Sequence, residues 1–275
     1  MSESPPRSHP ISPHALAPAV AAVVSALSSG RLMRGSRWKP EQLSRCLLDE
    51  PAPATLEALL ARLYAAPAYG KGGVFGDETS AFALVRLATH LFGAPSRTAT
   101  VQGDLVVSNH REGAMRSPFF IPGHLNVSGK LDVDEGAWLL CTGDVRVGGA
   151  IVDYEPGSVI AVGGSLSTAR MSTMGAVVVG GGLVVEDTLL AWRNDYRLVV
   201  EGTLRAQLLV AWDHVVDALQ EESVQLDPNT DGAVLRQHLR DEVLPGGPDA
   251  TDFDVEEADR LIRENESLRR GGGLS

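Results

Sequence analysis

The chain has 275 residues, 44 % of them hydrophobic and 21 % charged, a composition of soluble, core-forming proteins. Its longest early apolar run, Ala15 to Leu27, is broken by Pro18 and Ser25 and is too short to span a bilayer; no basic segment with a cleavage site precedes it, so a cytoplasmic location is expected. The net charge of −11 is concentrated from Asp213 onward, where 16 acidic residues face 6 basic ones, a balance that repels nucleic acid and suits either solubility or a basic protein partner.

Residues 1–13 are rich in proline and serine, with too little apolar surface to offset ordering, and are expected to form a disordered arm. From 14 to 98 the hydrophobic period is helical. Leu56, Leu59, Leu60, Leu63 and Tyr64 follow one helix face behind Pro53, and Phe82, Val85, Leu87, Ala88, Leu91 and Phe92 follow another before Gly93-Ala94-Pro95. Two further helices are predicted near Ala15 to Leu27 and Pro40 to Asp49, completing a small helical domain.

After Pro95 the chain turns to short runs of Val, Leu and Ile punctuated by glycine. A Gly-x-Leu/Val unit recurs at Gly103, Gly123, Gly143, Gly164, Gly181 and Gly202, with spacings of 20, 20, 21, 17 and 21 residues and further short strands about each unit. Such a period, with three strands in each repeat, predicts a β-solenoid over 99–214, in which no coil can bury its own apolar residues and each stacks on the next. Because the spacing does not keep a multiple of six, a right-handed coil is expected rather than a left-handed hexapeptide helix. Glycine at the corners is attributed to positive φ. Ala191-Trp192 and Ala211-Trp212 then fall in equivalent places of successive coils, so their indoles are expected about one strand spacing apart, roughly 4.8 Å, as a stacked or offset pair. The paired glycines have no Gly-x-x-x-x-Gly-Lys-Ser/Thr context and open no long helix, which excludes a P-loop or Rossmann site.

The run from about Val101 to His214, with its Gly-Asp/Ser/Thr-Leu/Val corners and its phrase Leu208, Leu209, Asp213, His214 before an acidic helical tail, resembles the bactofilin-related, polymer-forming cytoskeletal β-helix proteins of bacteria. The resemblance implies a non-catalytic assembly or scaffold element. A related branch accompanies toxin or secretion loci, which implies an immunity or adaptor role as the alternative. Against polymerisation stand the helical domain before the first coil and about sixty residues after the last, which look like caps over the open edges.

Candidate site residues cluster near the end of the repeats. The lengthened corner Arg193-Asn194-Asp195-Tyr196-Arg197 mixes arginine, tyrosine and carboxylate, types enriched in binding hot spots, and it sits beside Trp192, Trp212, Asp213 and His214. Asp195, Asp213 and His214 also form the one arrangement that could serve an enzyme, with His214 as base, although Asp and His equally terminate strands by bonding backbone groups. The corner from His110 to Phe120 is the other lengthened one. None of the seven histidines has metal-ligand spacing and no serine lies in a nucleophile elbow, so neither cofactor nor metal is expected. Cys46 and Cys141 are expected as reduced, partly buried thiols.

Beyond the repeats, Asp254 and Glu257 resemble a capping box ahead of Ala258, Leu261, Ile262 and Leu268, predicting an amphipathic helix over 254–270 that caps the last coil as part of an acidic tail, 215–275. The expected fold is therefore α+β: an N-terminal helical domain, a three-sided, right-handed β-solenoid of about six coils of about twenty residues, and a C-terminal helical cap. Its expected partners are a second copy or another protein, with no nucleic acid and no membrane span.

Overall fold

The computed structural model describes residues 9–34, 39–48, 52–65, 77–154, 157–193, 196–229, 232–245 and 252–270. Five helices come first: α1 (Pro13–Ser28), α2 (Arg31–Arg34), α3 (Pro40–Leu48), α4 (Leu56–Ala65) and α5 (Glu78–Phe92). Thirteen strands follow: β1 (Thr98–Val101), β2 (Leu105–Val107), β3 (Phe119–Ile121), β4 (His124–Val127), β5 (Leu131–Val133), β6 (Trp138–Cys141), β7 (Val145–Asp153), β8 (Val159–Val162), β9 (Leu166–Thr173), β10 (Ala176–Val179), β11 (Leu183–Trp192), β12 (Arg197–Trp212) and β13 (Val215–Leu226). Helices α6 (Gly232–His238) and α7 (Val255–Arg263) close the described chain.

Every strand pairing is parallel, and together they build a β-solenoid of about five turns. The pairings fall into three ladders. The first runs through β1, β4, the first halves of β7, β9 and β11, and the middles of β12 and β13. A second joins β2, β5 and the second halves of β7, β9, β11, β12 and β13. The third stacks β3, β6, β8, β10 and the first parts of β12 and β13. Side chains in register form continuous interior columns: Leu125, Val145, Leu166, Leu183 and Leu204 lie one above another with no exposed surface.

Burial differs from wall to wall, and the difference explains the strand sequences. In the first ladder buried and exposed residues alternate, as at Leu183, Val184, Val185 and Glu186, so that wall faces water. In the third, Trp138–Cys141, Val159–Val162 and Ala176–Val179 are buried throughout, because helices cover the outer side. Leu140, Ala161, Val178 and Val199 there share one core with α1, α3, α4 and α5. Helix α5 lies on β6, β8 and β10, started by an Asp77 carboxylate that accepts from the Thr79 and Ser80 N–H groups at 3.0 Å and stopped at Gly93, φ 88°. The helices thus build one core with the outer side of this wall, separate from the core inside the solenoid.

The second ladder is sheathed by the C-terminal region. Ala150, Val152, Leu190, Trp192, Leu208 and Val210 join Leu235, Leu239, Val243, Ala258, Leu261, Ile262 and Leu268 in one cluster. Helix α7 starts at Asp254, whose side chain accepts from the Glu257 N–H at 2.9 Å, and lies across β7, β9 and β11. Below it, Arg170 pairs with Asp187 at 3.0 Å, both almost fully buried, and also donates to Asn265 Oδ1 at 2.8 Å. Ser172 donates to Asp259 at 2.5 Å, and Arg263 donates to the Tyr154 hydroxyl at 2.6 Å.

Several expectations need correction. The arm predicted over 1–13 is structured from His9: Ile11 is buried and its N–H reaches the Ala54 carbonyl at 2.9 Å, while Pro13 opens α1. Residues 1–8 of that arm lie outside the described residues. The helix predicted over 254–270 ends at Arg263, and the helical cap is no end cap, since α7 covers a wall. The strands do not stop at His214, because 215–226 form β13 rather than the start of a helical tail. The corner glycines also have a different cause. Gly143, Gly164, Gly181 and Gly202 stack in one column, each N–H bonding the carbonyl of the glycine one turn below at 2.7 to 3.0 Å, and none has positive φ. What they avoid is contact: a Cβ on Gly143 would lie 2.6 Å from the Gly123 carbonyl oxygen. Gly103 does have positive φ, 86°, but it belongs to another corner, beneath Gly129.

Candidate functional site

The sequence singled out the corner between β11 and β12, and the structure splits its residues between two tasks. Trp192 and Trp212 are in register, as expected from the repeat. Their indoles go separate ways. Trp192 is buried and its Nε1–H donates to Ser172 Oγ at 3.2 Å, whereas Trp212 donates to Asn229 Oδ1 at 3.3 Å and meets Phe253 edge to face, centroids 6.3 Å apart. Among the described residues no stacked pair of these two rings is formed. The Arg193 guanidinium lies 5.1 Å over the Trp192 ring, with its backbone in the left-handed region at φ 83°.

His214 is buried and pins this corner. Its Nδ1 donates to the Arg193 carbonyl at 2.9 Å, which leaves Nε2 as the acceptor nitrogen of a neutral ring. Burial pushes the imidazole pKa down, favouring that neutral form. Nε2 is buried with no hydrogen-bond partner among the described residues. Asp213, adjacent in sequence, takes φ 53° and is exposed; it forms no hydrogen bond to His214. Asn194 and Asp195 lie outside the described residues. Tyr196 and Arg197 turn toward the N-terminal helices: the Tyr196 hydroxyl accepts from the Gly157 N–H at 2.8 Å, and Arg197 donates to the Leu32 carbonyl at 3.0 Å and sits 3.7 Å from Glu78. Arg197 fastens α2 and α5 to the solenoid, Tyr196 packs against the helical core while its hydroxyl bonds the β7–β8 corner, and Asp213 and His214 lead into the last rung.

That last rung, β13, is the feature the sequence reading missed. It pairs with β12 on one side, and on its other side no strand pairs with it among the described residues. Its surface carries Val215, Leu219 and Val224, exposed by 53 %, 60 % and 45 %, beside Asp217, Glu221 and Glu222. A twelve-residue edge with open backbone groups is a template for another strand. At the opposite end β1, β2 and β3 each pair on one side only with a named strand, Val107 adding a bridge to Met115, which is 40 % exposed, and this end carries Arg97 and Arg116. Partial burial pushes the Glu221 carboxyl pKa up.

No group of three or more His, Cys, Asp or Glu side chains among the described residues is placed to hold a metal ion. Cys46 and Cys141 are both buried, and burial pushes the Cys141 thiol up to about 12. No described helix is long and apolar enough to cross a membrane. No family model, no curated protein and no solved structure matches this chain.

Proposed function

We propose that this protein is a non-catalytic, bactofilin-like assembly element that joins to other copies through the ends of its solenoid, in the cytoplasm. The observation that carries the reading is the placement of the helices. Among the described residues they cover two walls, leave the outer edge of β13 without a strand partner and, at the other end, leave the first rung with only the Val107–Met115 bridge, so strand edges are available for end-to-end contact. Asp217 and Glu222 at this end already pair with Arg31 and Arg205 of the same chain, so the contact rests on a head-to-tail continuation of the ladders from β13 of one copy into the first rung of the next rather than on charge. In this reading the coil is three-sided and right-handed, with repeats of about twenty residues. The three parallel ladders and the right-handed rule for parallel crossovers support it.

The acidic edge supports one alternative, an adaptor or immunity protein that adds a strand of a basic partner to β13. Light scattering and negative-stain imaging across a concentration and salt series separate the two. Assembly that grows with concentration and is lost in Leu219→Lys/Val224→Lys supports self-joining, since lysine on an edge blocks strand addition. A single-chain mass at every concentration sinks it.

A further inference from the structure

A pocket of about 630 Å³ opens between α1, α5 and the corner of β12. Val23 and Leu27 from α1 and Phe82 from α5 give it apolar walls. Two opposite charges face into it, Arg86 from α5 and Glu201 from β12.

Each charge is held in place, and each is seated against a glycine. The Glu201 carboxylate accepts from the Arg31 and Leu32 N–H groups at 3.2 and 3.1 Å, and a Cβ on Gly30 would meet its Oε1 at 2.8 Å. The Arg86 guanidinium lies 5.0 Å over the Phe82 ring, and a Cβ on Gly180 would meet its Nη2 at 2.8 Å. The two side chains are close enough for Glu201 to act on Arg86 electrostatically, yet they form no ion pair. Among the described residues Arg86 has no hydrogen-bond or ion-pair partner, although it is half-buried and loses hydration there.

We propose that this pocket binds a small zwitterion with an apolar body, an apolar amino acid or dipeptide, its carboxylate on Arg86, its ammonium on Glu201 and its side chain along the α1 face of Ala22, Val23, Ala26 and Leu27. A planar guanidinium with open donors matches a carboxylate bidentately. A simple anion would meet the Glu201 charge as well, and a simple cation would meet Arg86; a ligand carrying both signs satisfies the two fixed groups at once. The volume lies within the range of small-molecule pockets and exceeds a single amino acid, which leaves room for a dipeptide.

Calorimetric titration of the full chain with L-leucine, L-phenylalanine, Leu-Phe, hexanoate and hexylamine tests this. Leu-Phe or a free apolar amino acid is expected to bind, with hexanoate and hexylamine weaker by about tenfold or more. Arg86→Met should abolish zwitterion binding, Arg86→Lys should retain part of it, and Glu201→Gln should raise the affinity for hexanoate relative to Leu-Phe, with thermal melting confirming that each variant is folded. Absence of zwitterion binding to the wild-type chain, preference for either singly charged probe, or binding unchanged by Arg86→Met each overturns the assignment. Arg86 lies on α5, which packs on β6, β8 and β10, so assembly by light scattering should not change in the Arg86 variants and the two proposals fail separately.

Discussion

Glu221 stands in register on Leu204, at the top of the column that Leu125, Val145, Leu166 and Leu183 fill below. Gln225 likewise stands on Leu209, above Ile151, Met171 and Leu189. Two interior columns thus end on polar groups, while the third ladder ends on Val216 and Ala218, which still pack into the core. A carboxylate at the head of an apolar column keeps the open end wet, and it tempers association that the exposed Leu219 and Val224 promote.

Replacing Glu221 by leucine should therefore strengthen association. Glu221→Leu continues the column, removes a partly desolvated charge and is expected to stabilise the rung by about 1 kcal/mol. Protonation should act in the same direction. The folded pKa is raised from 4.5, so the stabilising contribution is present at acid pH and lost as the pH rises above that value. Light scattering on wild type and variant from mildly acid to neutral pH checks this: wild type should associate more at the acid end, and the variant should lose that dependence.

A second carboxyl gives a sharper pH signature. Asp153 is fully buried; Oδ1 accepts from the Met174 and Gly175 N–H groups at 3.0 and 2.6 Å, and Oδ2 has no partner among the described residues. Burial pushes its pKa up to about 6 from 3.8 in spite of those bonds. Because the folded value is the higher one, the contribution is complete below 3.8 and is lost as pH rises through about 6. Asp153→Asn keeps an acceptor without the charge, so urea denaturation should find the variant more stable than wild type at pH near 7 by on the order of 2 kcal/mol, and no better at acid pH. Asp153→Ala should lose stability at both, since two buried N–H groups are left unpaired.

The corner glycines predict a contrast between positions. In Gly143→Ala the new methyl meets backbone, the Gly123 carbonyl oxygen at 2.6 Å, and the rung spacing must open; a cost of about 1–3 kcal/mol follows. Gly182→Ala meets only the Thr203 carbonyl oxygen at 3.2 Å and should cost much less. Equal effects in chemical denaturation would show that the column does not rest on this approach.

These relationships mark how far the sequence could be read. The recurrence from Gly123 to Gly202 and the leucine or valine two residues later carried the solenoid, because every coil repeats one steric demand and one buried position. The helices were legible from their period, but not where their apolar faces dock, since that depends on walls built from distant residues. The uninterrupted apolar runs at Trp138–Cys141 and Ala176–Val179 held that information, being the mark of a wall buried on both sides. Strand β13 escaped because Glu221 and Gln225 replace the very hydrophobes that signalled the earlier rungs. At the candidate corner the residue types were found but not their directions: Arg197 reaches α2, the Tyr196 hydroxyl bonds the Gly157 backbone, and His214 bonds the Arg193 backbone rather than Asp213.

The final prediction concerns what holds the sheath of the second ladder. Arg170 and Asp187 expose only 6 % and 5 % of their side chains, and Arg170 reaches from there to Asn265 just beyond α7. Asp187→Ala leaves a guanidinium buried without its counter-charge, which costs about 3–5 kcal/mol, whereas Arg170→Met/Asp187→Leu removes both charges and should recover much of that loss. The damage should be local. Because Arg170 also holds Asn265, limited proteolysis of Asp187→Ala should release the C-terminal segment before the rungs themselves are cut, and urea denaturation should show an early step. A variant that unfolds in a single step, with the C-terminal segment no more easily cleaved than in wild type, would show that the apolar contacts of Leu261, Ile262 and Leu268 hold the sheath without the ion pair.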